Sequence, residues 1–254
     1  MTAALSIGIA AAAGADVGAR VAAAAEAAGL HALWVNDTPG HDALAVLAAA
    51  AGATERLVLA TGVLPIDRRT PDGILASAEA LPADRLVLGI GSGQLRTGAV
   101  ARVTDAATAL RAHTRARVVV GALGPKMRRA AAAESDGLLL SWLTPQVAAT
   151  QAAQAREIAP ATHAALYVRA AAEPAALRAL EDETARYAGY PAYAANFARL
   201  GVAAADTVIR PEELRDRIAA YRAAVDEVVL RVITASGTVD DHLRFIDAIA
   251  DAVA

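Results

Sequence analysis

Short apolar runs alternate with helix-like segments along the whole chain, and this repetition constrains the fold more than any other feature. The predicted strands are 5–9, 33–35, 57–63, 85–90, 118–122, 137–140, 162–170 and 228–233. They show no clear apolar–polar alternation, which is typical of parallel strands covered on both faces. Eight strand–helix units in 254 residues predict an α/β fold, a closed (β/α)8 TIM barrel, because open doubly wound sheets usually have fewer strands.

Helical composition fills the segments between the strands. Helices are predicted over 16–28, 42–51, 71–81, 95–113, 174–200 with a break at Tyr190-Pro191, 211–224 and 239–252, and after Pro125 and Pro145. No long linker or low-complexity tract separates two parts of the chain. We therefore expect residues 1–254 to form a single barrel domain.

Composition and charge exclude several function classes. The net charge is -3 and the isoelectric point is near 6.0, so no basic surface for nucleic acid or acidic membranes is expected. The chain has no cysteine, and its histidines are too scattered to predict a metal site. The start lacks a basic region, and no long uncharged apolar run follows, so we expect a cytoplasmic protein.

Two helix starts follow consecutive strands in the centre of the chain. Gly124-Pro125 and Thr144-Pro145 combine an N-cap residue with proline at the first helical position, as helix starts commonly do. If the two strands are adjacent and parallel, both helices aim free N–H groups at one volume, which suits a phosphate. Ordinary capping explains the same residues, and spacing alone favours that alternative.

Asp37 is the carboxylate best placed for chemistry, because it directly follows the second predicted strand. TIM-barrel active sites lie at the C-terminal ends of the strands. Its surroundings, Asn-Asp-Thr-Pro-Gly over 36–40, are also strong turn chemistry, and local sequence slightly favours a turn role. Asp37 is our candidate catalytic residue, with the turn role as the alternative.

Other polar residues near strand ends carry weaker signals. Gly91-Ser92-Gly93 follows a strand but lacks the third glycine of a dinucleotide fingerprint. Neither Ser92 nor Ser141 has a neighbouring histidine, so a hydrolase triad is not supported. Three basic residues begin the helix after Gly124, and we expect a solvated helix face for its two arginines rather than phosphate binding; they are Lys126, Arg128 and Arg129.

Four segments together resemble the bacterial luciferase-like monooxygenase superfamily, and more closely its branch of coenzyme F420-dependent oxidoreductases. They are AAEAAGLHALWVNDTPG (24–40), TERLVLATGVLPIDRRTP (54–71), DRLVLGIGSGQ (84–94) and VVVGALGPKMRRAAAAESDGLLLSWLTP (118–145). They occur in family order within the first 150 residues. The C-terminal third resembles the family only in its element pattern.

The resemblance implies a deazaflavin in a cleft at the C-terminal ends of the strands, with FMN as the alternative cofactor. A non-prolyl cis peptide bond behind the ring would fall at Gly62-Val63. The phosphate end would be held by the loops after the fifth and sixth strands. The implied cofactor-binding residues are Gly62, Val63, Gly91, Gly93, Leu123, Gly124, Ser141 and Thr144.

The sequence departs from the family pattern at three places. Some relatives have histidine where this chain has Thr38, and some have a proton-donating glutamate where it has Gln94. Acid chemistry at these positions is therefore in doubt. The insertion between the fourth and fifth strands, which shapes the pocket in many relatives, is shortened to residues 94–117. The pocket is then either open or completed by a partner subunit.

These features predict an oxidoreductase that transfers a hydride between F420 and a small organic substrate. The first alternative is an FMN-dependent luciferase-like monooxygenase or reductase. The second is a non-catalytic flavin or deazaflavin carrier, which the missing histidine and glutamate would suit. The resemblance also implies a homodimer as one assembly, while the substrate and the direction of hydride transfer stay open.

Overall fold

The computed structural model describes residues 3–253. Its strands are β1 (Ala4–Ala10), β2 (Ala32–Asn36), β3 (Val58–Thr61), β4 (Leu64–Pro65), β5 (Leu86–Gly91), β6 (Arg117–Gly121), β7 (Gly137–Ser141), β8 (His163–Ala170) and β9 (Glu227–Val232). Its helices are α1 (Ala15–Ala27), α2 (Ala43–Gly52), α3 (Pro71–Ala78), α4 (Ala99–His113), α5 (Pro125–Glu134), α6 (Pro145–Ile158), α7 (Leu177–Gly189), α8 (Pro191–Leu200), α9 (Leu214–Arg222) and α10 (Val239–Val253). None of the helices within residues 3–253 has the length and hydropathy of a transmembrane segment.

The strands form one closed parallel sheet. Its order is β3-β2-β1-β9-β8-β7-β6-β5-β4, and pairing of β3 with β5 closes the circle. β3 and β4 are two halves of one barrel strand, because both pair with β5, and the Gly62-Val63 peptide bond between them is cis. The barrel thus has eight strand positions with helices between them, and the predicted (β/α)8 fold is confirmed.

Two predicted helices are longer than the observed ones. The third ends at Ala78 rather than at residue 81, because Leu81 precedes Pro82 and the residue before a proline disfavours the helical conformation. The fourth begins at Ala99 rather than at residue 95. Gly98 has a φ of 65°, which a right-handed helix does not contain.

Both faces of the strands are buried, which explains why the sequence showed no clear alternation. In β1, Leu5, Ile7 and Ile9 point outward and join the large apolar layer between the strands and the helices. The intervening Ser6 and Gly8 face the barrel interior. Since the inward residues are also small or apolar, the period of two is hidden in the sequence.

Two large aromatic side chains fill the barrel interior. The rings of Trp34 and Tyr167 pack edge to face with centroids 6.4 Å apart, and burial raises the pKa of the Tyr167 phenol. Small residues make room for them: a Cβ atom at Gly8 would lie 2.5 Å from Tyr167 Oη. A Cβ atom at Gly62 would lie 3.1 Å from Tyr167 Cε2 and 3.2 Å from Trp34 Cε3.

A buried carboxylate organises the N-terminal end of the barrel. Glu227, at the start of β9, is 1% exposed. Its Oε1 accepts hydrogen bonds of 2.6 Å from Ser6 Oγ and from Trp34 Nε1, and its Oε2 lies 3.0 Å from His163 Nε2. Burial alone would raise the pKa of Glu227, but the bonds from His163, Ser6 and Trp34 outweigh it and lower the pKa. Four strands are therefore joined through one carboxylate.

Two helices, α7 and α8, pack against each other and cover the opposite end beside β7, β8 and β9. The break between them at Tyr190-Pro191 is confirmed. Phe197 of α8 packs against Trp142, which directly follows β7, with ring centroids 6.1 Å apart. Tyr187 of α7 lies 4.8 Å from the same indole. The helix pair thus rests on the residue that follows Ser141.

Candidate functional site

We call the C-terminal ends of the strands, with the residues that follow them, the barrel mouth. There Val63 packs against two glycines at the ends of neighbouring strands. A Cβ atom at Gly91 would come within 2.6 Å of Val63 Cγ2, and one at Gly121 within 3.0 Å of Cγ1. Asn36 donates a hydrogen bond from its amide to the Gly62 carbonyl oxygen. The structure therefore brings Gly62, Val63 and Gly91 together, and larger residues at 91 and 121 would displace Val63.

Gly93 lies apart from these two glycines, against the carboxylate of Asp67. Its φ is 58°, and a Cβ atom there would lie 1.9 Å from Asp67 Oδ1. Asp67 Oδ2 accepts a hydrogen bond of 2.8 Å from the Gln94 N–H, while its buried Oδ1 has no partner among the described residues. The packing of Asp67 accounts for the glycine, and contact of Gly93 with a cofactor stays a prediction.

The two helix starts lie on neighbouring strands, as the anion hypothesis requires. β6 and β7 pair in parallel, with Gly121 opposite Leu139. Gly124 is the N-cap of α5, and a Cβ atom there would meet nothing within 4 Å. Thr144 caps α6, its Oγ1 accepting a bond of 3.5 Å from the Val147 N–H. Because consecutive parallel strands end at one edge, both N-termini open at the barrel mouth.

Ser141 is held by an arginine for which no sequence motif indicated a role. Arg169 of β8 donates a hydrogen bond of 2.6 Å to Ser141 Oγ and another of 3.2 Å to Glu183 Oε1 of α7. Its guanidinium lies 4.2 Å from the centroid of the Trp142 ring and 4.8 Å from that of Tyr187. Cation–π contacts of this kind stabilise a desolvated arginine, so the Ser141 hydroxyl has a fixed position.

Asp37 is fully engaged by its neighbours, and its side chain is 4% exposed. Oδ1 accepts bonds of 2.7 Å from Arg69 and 3.1 Å from the Ala43 N–H. Oδ2 accepts bonds of 3.3 Å from Arg68 and 3.2 Å from Arg69 Nε. These contacts tie the loop after β2 to α2 and to the segment after β4. They match the turn role more closely than proton exchange, and the catalytic role stays a prediction.

Arg128 corrects one expectation from the sequence. Arg129 and Lys126 are exposed, as a solvated helix face requires. Arg128 is only 9% exposed, and its Nη1 donates a hydrogen bond of 3.1 Å to the Leu123 carbonyl oxygen. The prediction of a solvated face is wrong for this arginine, because its side chain turns back along α5 toward the loop that precedes the helix.

Two buried donors without acceptors lie where α8 packs on the residues that follow β7. Trp142 Nε1 and Asn196 Nδ2 are both buried and have no partner among residues 3–253. Buried polar groups are normally paired, so these two call for an acceptor such as a phosphate or carbonyl oxygen. Together with the open space at Gly124, they fit the phosphate end of a flavin-type cofactor.

Comparison with known proteins supports the resemblance stated from sequence. The family model of luciferase-like monooxygenases matches residues 5–99, so the resemblance is confirmed for that part of the chain. No curated protein sequence matches the chain.

Solved structures of this fold include proteins with either cofactor. An F420-dependent secondary alcohol dehydrogenase in complex with an F420–acetone adduct aligns over 100% of both chains, with 14% identity and a TM-score of 0.74. The coenzyme F420 dependent tetrahydromethanopterin reductase from Methanopyrus kandleri aligns over 100% of this chain and 99% of its own, with 15% identity and a TM-score of 0.74. The oxygenating constituent of 3,6-diketocamphane monooxygenase from Pseudomonas putida, in complex with FMN, aligns over 98% and 96%, with 13% identity and a TM-score of 0.67. At these identities the likeness establishes the fold.

Proposed function

We propose that this protein is an oxidoreductase that binds coenzyme F420 at the barrel mouth and transfers a hydride between it and a small organic substrate. The observation that carries the proposal is the pair of helix N-termini at Gly124 and Thr144, which follow the adjacent parallel strands β6 and β7. Helix N-termini at the same edge of a sheet suit a phosphate group. When bound, the deazaflavin supplies the hydride chemistry itself.

The chain's own residues would bind and orient the cofactor. Gly62 and Val63 would support the ring from below, with Gly91 leaving room for the Val63 methyl groups. Leu123, Gly124, Ser141 and Thr144 would hold the phosphate end. Arg169 would act through Ser141, because its bond to Ser141 Oγ fixes the hydroxyl.

Asp37 would position the loop after β2 rather than exchange a proton, since both of its oxygens already accept hydrogen bonds. Loss of Arg68 or Arg69 would leave an Asp37 oxygen without a donor, but it would also detach the loop after β2 from the segment after β4. The same saturation supports the alternative of a non-catalytic flavin or deazaflavin carrier. An FMN-dependent monooxygenase or reductase is the other alternative, supported by the similar fold of the FMN complex.

A fluorescence titration with F420 and, separately, with FMN tests the proposal. Gly124→Val should abolish binding, because its side chain would enter the space in front of the α5 N-terminus. Ser141→Ala should weaken it by removing one hydroxyl. Gly52→Val is the matched control, since a Cβ atom at Gly52 would also meet nothing within 4 Å, but Gly52 ends α2.

The outcomes separate the three functions. F420 binding that Gly124→Val abolishes, followed by turnover in a screen of small alcohols and other hydride donors, supports the proposal. A preference for FMN moves the protein to the flavin alternative. Tight binding without turnover by any donor identifies a carrier, and binding of neither cofactor refutes all three.

The predicted assembly and location are also proposals. We infer a homodimer, which light scattering on the purified protein measures directly, and a monomer would contradict it. We also propose a cytoplasmic location, which cell fractionation tests.

A further inference from the structure

Arg231 is an arginine of the barrel interior to which the proposed function gives no role. Side chains alternate along β9: Glu227 and Val229 face the interior, while the residues between and after them join the outer apolar layer. Arg231 is the next inward position of this strand, close to its C-terminal end. Its side chain is half-buried. A charged group of β9 therefore faces the barrel mouth.

Strand pairing places a second arginine beside it. Arg169 of β8 is the register partner of Arg231, and it also faces inward, because Tyr167, two positions earlier on β8, fills the interior. Neighbouring strands lie about 4.8 Å apart. Like charges at such a separation repel each other. The sheet therefore holds two positive charges at adjacent positions of the mouth.

The protein neutralises one of these charges and leaves the other. Arg169 pairs with Glu183 at 3.2 Å and lies 4.2 Å from the centroid of the Trp142 ring. Arg231 forms no ion pair among residues 3–253. Its Nη1 donates a hydrogen bond to the Val232 carbonyl oxygen, and the described residues offer no acceptor to Nε and Nη2. These two nitrogens form one edge of the guanidinium, which both oxygens of a carboxylate can contact at once.

The other neighbour of Arg231 is small and apolar. Gly8 of β1 is its register partner on that side, and Ala10 is the next inward residue of β1. Residues 10–13, which end β1 and follow it, are all alanine. This side of the mouth offers methyl groups and no counter-charge. A ligand that contacts both Arg231 and β1 therefore needs an anionic end and an apolar body.

We propose that Arg231 binds a carboxylate group of the substrate, so that the substrate is a small carboxylic acid with an apolar body. The inference rests on the function proposed above and names the substrate class of that site. One guanidinium balances the single charge of a carboxylate. The group would lie between β8 and β1, whereas the helix starts at Gly124 and Thr144 follow β6 and β7. Arg231 would thus select the substrate and leave the cofactor phosphate to the other side of the mouth.

Acids and amides of the same shape test this assignment without the cofactor. The probes are benzoate against benzamide and butanoate against butanamide, with binding measured by calorimetry and by the shift in melting temperature. Arg231→Gln is the main variant. Arg222→Gln is the matched control, because Arg222 is also half-buried and lacks an ion pair among residues 3–253. Its Nε donates a bond of 3.0 Å to the Ala3 carbonyl oxygen, at the N-terminal end of the barrel.

We expect the wild type to prefer each acid to its amide, and Arg231→Gln to weaken the acids about tenfold, the effect of losing a charge-assisted contact. Amide binding should stay unchanged, and Arg222→Gln should bind the acids like the wild type. The melting temperature of Arg231→Gln should stay equal or rise, because Arg169 loses a like-charged neighbour. Equal acid binding by the two variants would overturn the proposal. A lower melting temperature with unchanged acid binding would assign Arg231 to the fold and refute the proposal as well.

Titrations with F420, FMN and inorganic phosphate separate this inference from the proposed function. Arg231→Gln should bind both cofactors like the wild type, and a loss of cofactor affinity would assign the arginine to the cofactor and overturn the inference. Binding of inorganic phosphate that depends on Arg231 and exceeds that of the acids would refute the carboxylate assignment.

The two proposals can also fail independently. If a cofactor binds but acids and amides bind equally, the cofactor site stands and the acid site is refuted. If neither cofactor binds but the preference for acids depends on Arg231, the acid site stands and the proposed function is refuted.

Discussion

The two ends of the barrel treat buried polar groups in opposite ways. At the N-terminal end, the Glu227 carboxylate receives bonds from Ser6, Trp34 and His163 and is satisfied. At the mouth and on α8, which covers it, several buried polar atoms have no partner among the described residues: Asn36 Oδ1, Thr38 Oγ1, Asp67 Oδ1, Trp142 Nε1 and Asn196 Nδ2. An unpaired buried group costs about 1–3 kcal/mol, so the mouth gives up stability that the other end provides.

This difference agrees with the division of labour in TIM barrels, where the N-terminal face serves stability and the C-terminal face serves function. It predicts different effects for mutations at the two ends. Removing polar groups at the N-terminal end should destabilise the fold, while removing them at the mouth should cost binding instead.

Glu227→Ala should have the largest effect, a loss of about 3–5 kcal/mol in the free energy of unfolding. The change leaves Ser6, Trp34 and His163 without their common acceptor and opens a cavity between four strands. Urea unfolding followed by circular dichroism measures it. Asp67→Ala at the mouth is the comparison, since one of its oxygens already lacks a partner among the described residues. Equal losses in the two variants would remove the contrast between the ends.

Two glycines allow the packing of the barrel interior to be compared with that of the mouth. Gly8→Ala should destabilise the protein by about 1–3 kcal/mol, the usual cost of overpacking, because the new Cβ would lie 2.5 Å from Tyr167 Oη. Gly124→Ala should change stability by less than about 0.5 kcal/mol, since nothing lies within 4 Å of its Cβ position. Thermal unfolding of both variants measures these changes in stability. If Gly8→Ala were as stable as the wild type, the side chains of the barrel interior would be able to move aside for the new methyl group.

Local sequence signals predicted the parts of the fold that depend on local chemistry. The repeated strand–helix pattern predicted the barrel, and the proline-containing helix starts correctly identified Gly124 and Thr144 as caps. The cis peptide bond came from the resemblance, and the structure has it at Gly62-Val63. The strand runs and the helix caps are each set by a few neighbouring residues.

Long-range packing determined what the sequence could not predict. The bond between Ser6 and Glu227 joins residues 221 positions apart, and no local pattern points to it. The sequence predicts a solvated face for Arg128 because it lies in a run of basic residues with Lys126 and Arg129. Its burial and its bond to the Leu123 carbonyl oxygen are seen only in the structure. Asn196 lies in a segment whose resemblance to the family is limited to its element pattern, so the sequence did not predict its buried position on α8.

The pH dependence of stability tests the N-terminal end without removing any atom. The pKa of Glu227 is lowered in the folded protein, through the bonds from His163, Ser6 and Trp34 that outweigh burial. Its contribution is therefore complete above the unfolded value of 4.5 and is lost as the pH falls through the lower folded value. Glu227→Gln cannot titrate, so its stability should fall less steeply below pH 4.5 than that of the wild type. Urea unfolding at several pH values measures the free energy of unfolding of both proteins. An equally steep fall of this free energy with decreasing pH in the wild type and in Glu227→Gln would contradict the assignment.

Asn196→Leu should have the smallest effect on stability and the most informative effect on binding. The substitution keeps the size of the side chain and removes a buried amide whose Nδ2 has no acceptor within residues 3–253. The free energy of unfolding should stay within about 0.5 kcal/mol of the wild-type value or rise.

The affinity for FMN relative to that for riboflavin should fall, because the variant lacks the buried Nδ2 donor that Asn196 offers to a phosphate oxygen. Calorimetric titration beside thermal unfolding gives both quantities for one variant. A protein that became less stable but bound phosphate as before would show that Asn196 serves the fold, and the mouth would then resemble the other end of the barrel. A protein that kept its stability and lost its phosphate preference would show that the unpaired Asn196 donor of α8 is maintained for a ligand.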